Sequence, residues 1–132
     1  MINVKYLANM SSSVSEAQTS SPDPGIAREL TAFQQNILTI LAENARYGLA
    51  IKRELETYYD GEVNHGRLYP NLDDLVEMGF VEKSELDKRT NEYGLTEEGV
   101  DAVFSQLEWV FSNVETDDDR TERLRSLVEQ YE

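Results

Sequence analysis

Residues 64–80 read NHGRLYPNLDDLVEMGF, and the way this stretch folds decides the rest of the chain. Leu68, Leu72, Leu75 and Val76 share one face at helical spacing, and Gly79 is placed to supply the left-handed residue that closes a helix. Pro70 stands in the way, because it has no N–H for the Gly66 carbonyl and its ring crowds that same carbonyl. A helix over residues 64–78 is therefore expected with Pro70 at its front, where Gly66 tolerates a loose first turn. Such a turn presents Arg67 and Asn71 away from the apolar stripe, one turn apart, with Asn64, His65 and Gly66 just ahead of them.

On the N-terminal side, Ile26, Leu30, Phe33, Ile37, Ile40 and Leu41 predict a first helix ending near Asn44, with Thr31 and Gln34 offering a capping box for a later start. The turn RYG leads into a second helix carrying Ile51, Leu55 and Tyr58, which Asp60-Gly61 stops. On the C-terminal side, FVEKSEL and EYGL flank the polar DKRTN, predicting a β-hairpin with Lys88 and Arg89 at its tip. Thr96 is expected to cap a fourth helix whose Val100, Val103, Phe104, Leu107, Val110, Phe111 and Val114 recur at steps of three and four. Trp109 lies about 180° from Val100, off that stripe, and calls for a second surface to cover it. Thr116 with Asp119 predicts a fifth helix with Leu124, Leu127, Val128 and Tyr131 as its apolar face.

The resulting fold class is mainly α with a small β-hairpin. Three helices and a hairpin over residues 26–95 are in the order of a winged helix-turn-helix, and residues 96–132 form a C-terminal helical region suited to dimerisation. The Ser-rich residues 1–25 are expected to be a flexible tail, with Met10 a possible alternative start.

Composition excludes several functions. The chain has no cysteine and one histidine, so no thiolate or histidine-rich metal site is expected, and no cofactor. No Gly-rich phosphate loop or nucleophile elbow is present, so no catalytic residues are assigned and the chain does not read as an enzyme. No apolar run approaches the ~18 residues that span a bilayer, and the N-terminus lacks a signal peptide, so no membrane partner and a cytoplasmic location are expected. The net charge of −14 argues against nucleic acid when taken alone, and fits a protein kept soluble by carboxylates at high salt. Its distribution is more informative, since seven of the 12 basic residues fall between positions 46 and 95.

At RYGLAIKREL, GRLYPNLDDLVEMGFVEKSE and NEYGLTEEGV the chain resembles the PadR-like transcriptional regulators, over roughly residues 30 to 105. The separations of LYPNL, MGFV and YGLTEEG carry the resemblance, and acidity, scarce Lys and absent Cys give it a haloarchaeal character. The resemblance implies a homodimeric, sequence-specific DNA-binding protein, each protomer taking one half-site of a pseudo-palindromic operator and the C-terminal helices supplying the dimer contact. The chain departs from the family in its acidity and in the added helix TDDDRTERLRSLVEQYE.

The residues support double-stranded DNA as partner on their own chemistry. Arg67 can donate twice to guanine and Asn71 can pair with adenine, each worth ~1 to 3 kcal/mol of discrimination. Asn64 and His65 precede the helix, where Asn64 serves equally as an N-cap or a phosphate contact. Tyr69 can pack its ring while its hydroxyl reaches a phosphate. Arg46, Lys52 and Arg53 near the second helix, and Lys88 and Arg89 at the wing tip, are candidate backbone contacts. Val103, Leu107, Trp109, Val110 and Phe111 are the candidate dimer surface. At high salt, base contacts, water and cations bridging carboxylate to phosphate must carry more of the binding than direct ion pairing. The competing reading is an acidic winged-helix adaptor for protein partners, which the same charge supports.

Overall fold

The computed structural model describes residues 24–87 and 90–131. Among the described residues, six helices and a three-stranded sheet follow in the order α1 (Pro24–Arg28), α2 (Ala32–Glu43), β1 (Arg46–Tyr47), α3 (Gly48–Tyr59), α4 (His65–Glu77), β2 (Val81–Asp87), β3 (Thr90–Leu95), α5 (Glu97–Val114) and α6 (Asp118–Glu129). The antiparallel sheet has the order β1-β3-β2, with Arg46 opposite Tyr93 and Val81 opposite Leu95.

Four local expectations are corrected. The first helix is two, because the Thr31–Gln34 capping box is made in full: each side chain accepts from the other's backbone N–H, at 3.1 Å. That box starts α2 afresh and leaves α1 as a separate turn, beginning at Pro24 inside the expected tail; the rest of that tail, residues 1–23, lies outside the described residues. The turn RYG contains a two-residue strand, since Arg46 and Tyr47 pair with β3 and add a third strand to the wing. The last helix is capped by Asp117, whose Oδ1 accepts from Arg120 N at 2.9 Å, while Thr116 accepts from the Arg120 guanidinium.

The fourth correction concerns Pro70, which is the sixth residue of α4 and not part of its front. The helix survives because its first turn is tied down independently. Asn64 Oδ1 accepts from Gly66 N at 2.6 Å, and the Asn64 carbonyl accepts from both Arg67 N and Leu68 N at 3.0 Å. Pro70 then removes only the bond to Gly66, and its ring points to solvent. At the other end Gly79, at φ 87°, closes α4 as expected, with Phe80 N bonding Leu75 O and Gly79 N bonding Val76 O.

Leu68, Leu72 and Leu75 are fully buried against Phe33, Ile37 and Leu41 of α2 and Ile51 and Leu55 of α3. Each such side chain stabilises the domain by about 1.5–3 kcal/mol relative to exposure. The start of α5 is fastened to the end of α4: the Thr96 hydroxyl donates to Gly79 O at 2.6 Å and caps Gly99 N at 3.0 Å. Helix α4 and the long helix α5 therefore share one anchor. No described helix is long and apolar enough to cross a membrane.

Candidate nucleic-acid interface

Tyr69 of α4, the start of α3 and the first residues of β3 converge on one face. Tyr47 occupies the N-cap position of α3 without a side-chain cap, so the first N–H groups of that helix are served by no side chain at their own terminus. A cleft of about 410 Å³ opens there, lined by Tyr47, Gly48, Arg53, Tyr69, Thr90 and Asn91 among others. Arg53 is exposed and makes no ion pair among the described residues. The cleft thus combines a cation, a helix N-terminus and a half-buried phenol, a set suited to phosphate.

Tyr69 joins this cleft to the front of α4. Its ring stacks on His65, with centroids 5.5 Å apart and planes 2° from parallel, and its other edge lies against Gly48. His65 is exposed, so the stack ends at the surface beside Asn64 and Gly66. Asn64 has its Oδ1 engaged as the N-cap, which selects capping over phosphate contact for that oxygen.

Arg67 and Asn71 leave α4 in the direction of α2. The Arg67 guanidinium lies 3.9 Å from the centroid of the buried Phe33 ring, leaving its edge and outer face in solvent. Asn71 is half-buried, with Nδ2 donating to Arg67 O at 2.7 Å and Oδ1 accepting from Gln34 Nε2 at 3.2 Å. In this conformation the Asn71 amide faces the protein at both ends, and Arg67 is the freer of the two.

The remaining basic candidates divide into engaged and free. Arg46 pairs with Glu43 at 2.7 Å, and Lys52 pairs with Glu56 at 3.2 Å. Glu56 also accepts from Val63 N at 3.1 Å across the α3–α4 turn; this bond first, and Lys52 second, hold its carboxyl below the ordinary carboxylate value. Lys88 and Arg89 lie outside the described residues. Asp73, Asp74 and Glu77 are exposed on the C-terminal half of α4, with Asp73 reaching Lys83 of β2 at 4.0 Å.

Sequence reasoning passed over Tyr47, Thr90 and Asn91 as cleft residues. Their signal was non-local, since only the pairing of β1 with β3 brings them beside α3.

A second surface lies on α5 and α6. Trp109 is 64% exposed, Phe104 59% and Tyr131 79%, with Leu107, Val110, Leu127 and Val128 also exposed. Val103, expected on this surface, packs partly against the core of its own chain, and Phe111 is half-buried. No residue of α6 is buried.

The family model for the transcriptional regulator PadR-like family matches residues 37–104. Among solved structures, Halobacterium salinarum RosR grown from NaBr is 70% identical over 79% of this chain and 94% of its own, at a TM-score of 0.77. The complex structure hsRosR-S4 is 68% identical, covering 82% of this chain and 95% of that one at a TM-score of 0.79. F93 from STIV, a winged-helix DNA-binding protein, shares the fold at 23% identity, covering 62% of this chain and 90% of its own with a TM-score of 0.53. No curated protein matches the chain.

Proposed function

The chain belongs to the transcriptional regulator PadR-like family, and we propose that it works as a cytoplasmic homodimer whose two α4 helices enter successive major grooves of a pseudo-palindromic operator. It is a DNA-binding transcriptional regulator of the RosR type found in haloarchaea. Within that activity the front of α4 reads bases chiefly through Arg67, which Asn71 supports from one turn further on, its own amide held by Gln34. The cleft at the start of α3 takes the sugar-phosphate backbone through Arg53, Tyr69 and the helix N-terminus, and the hairpin bearing Lys88 and Arg89 follows the strand beyond.

The observation that carries this reading is the His65–Tyr69–Gly48 stack. It links the front of the reading helix to the uncapped end of α3, so that base and phosphate contacts are set by one rigid unit. The acidic groups of α4 lie at its far end, away from the residues expected at the groove floor.

The exposed apolar face of α5 and α6 supports the dimer. Large aromatic side chains clustered on one pair of helices need a second surface, and a second copy supplies one by symmetry. At high salt, cations bridging protein carboxylates to phosphates offset the charge of −14 that the chain brings to DNA.

Hydroxyl-radical footprinting on duplexes selected from a random pool tests the arrangement. Two protected patches about one helical turn apart, ~34 Å, are expected from two α4 helices on one face. A single patch, or protection that ignores sequence, contradicts it.

A further inference from the structure

We infer that Gln34 of α2 is a positioning residue for DNA reading, holding Arg67 and Asn71 of α4 in register through a part-buried hydrogen bond between side-chain amides; this rests on the reading of α4 given above. Among the described residues Gln34 is the buried polar side chain of the core, and both ends of its amide are used. Oε1 accepts from Thr31 N at 3.1 Å and completes the capping box of α2, while Nε2 donates to Asn71 Oδ1 at 3.2 Å. Asn71 passes the link on, donating from Nδ2 to Arg67 O at 2.7 Å.

The neighbouring residue does the same work from the other side. Phe33 lies under the Arg67 guanidinium, 3.9 Å from ring centroid to the central carbon. Two consecutive residues of α2 thus grip two residues of α4 one turn apart, on either side of Pro70. That is where α4 is weakest, because Pro70 gives no N–H to the helix.

The choice of amide is informative. A capping box is completed by Glu as well as by Gln, since only an acceptor oxygen is needed. Only Gln can complete the box and donate to Asn71 at the same time. With Glu at position 34, Asn71 must turn its amide to donate to the carboxylate, and its oxygen then faces the Arg67 carbonyl without a donor. The cap is preserved and the grip on α4 is lost.

The test is a specificity ratio: affinity for a duplex selected by the wild-type protein over affinity for its scrambled counterpart, measured by anisotropy in molar KCl. Gln34→Glu is expected to reduce this ratio about fivefold, the usual effect of one net hydrogen bond, with scrambled-duplex affinity nearly unchanged. In an Asn71→Ala background, where the link is already cut, Gln34→Glu is expected to change the ratio no further. Equal weakening on both duplexes, the same drop in the Asn71→Ala background, or an unchanged ratio each overturns the positioning role. If Gln34→Glu melts below the assay temperature, Gln34→Met, of similar volume, takes its place; an unchanged ratio there overturns the proposal. Arg67→Ala runs alongside. A loss of ratio in Arg67→Ala with none in Gln34→Glu defeats this inference alone, whereas a wild-type ratio in Arg67→Ala defeats the reading of α4 and this inference with it.

Discussion

Tyr69 lies so close to Gly48 that a Cβ built at position 48 would stand 2.7 Å from the Tyr69 hydroxyl oxygen and 2.9 Å from its ring. Helix α4 therefore touches the start of α3 through the one residue type that leaves room for a phenol. Gly48→Ala is expected to displace the Tyr69 ring rather than unfold the chain, because the crowded atoms are the far end of a side chain. Stability should change by less than ~1 kcal/mol, helped by the better helix propensity of Ala. DNA affinity should fall by about fivefold as the phosphate contact is lost. Thermal melts and anisotropy titrations on the same variant separate the two effects, and unchanged affinity removes Tyr69 from the interface.

Gly99 poses the opposite case. Its added Cβ would stand 2.1 Å from the Phe80 carbonyl oxygen, a backbone atom held by the Gly79 turn and by Thr96 N. No side chain can swing away to relieve that contact. Gly99→Ala is expected to destabilise the domain by about 1–3 kcal/mol, measured by urea denaturation. A variant as stable as wild type would mean that α5 does not dock on the α4–β2 turn as described.

Exposed apolar residues on α5 and α6 predict a concentration-dependent assembly. Leu107→Asp combined with Trp109→Ala should shift the protein from dimer to monomer in sedimentation equilibrium at molar KCl, leaving the helical circular dichroism largely intact. Dimer mass in the double variant counts against α5 as the contact surface.

The acid limb of stability should report Glu56. Its carboxyl is held below the ordinary value by the Val63 N–H first and by Lys52 second, so the folded state favours the charged form. That contribution is fully present above the ordinary unfolded carboxylate value and is lost as pH falls through the lower folded value. Glu56→Gln should therefore be less stable than wild type at neutral pH, and the gap should close in acid. A gap independent of pH in urea melts would show that the carboxylate charge is immaterial to the α3–α4 turn.

Much of this architecture can be read along the chain. The stripe Leu68, Leu72 and Leu75, the Gly79 cap and the Thr96 cap are local signals, and each appears in the structure where periodicity puts it. What escaped local reading depends on distant partners. Arg46 and Tyr47 look like a turn until β3 arrives to pair with them, Tyr93 lying 47 residues along the chain from its partner Arg46. Asn71 looks like a free surface amide until Gln34 is brought across from α2. Pro70 looks like a helix start, because the tightly bonded first turn that lets a proline sit further in depends on the Asn64 carbonyl accepting twice. The wing tip at Lys88 and Arg89 stays an expectation from sequence, and so do the base-reading roles within α4.

The most direct measurement is selection of bound fragments from genomic DNA in molar KCl, carried out in parallel with the wild-type protein and with Arg67→Ala. The wild type is expected to enrich a two-fold symmetric motif with half-sites about one helical turn apart, and Arg67→Ala to lose discrimination at one base pair of each half-site by ~1 to 3 kcal/mol. Recovery of the same motif, equally enriched, by both proteins would contradict α4 as the reading helix.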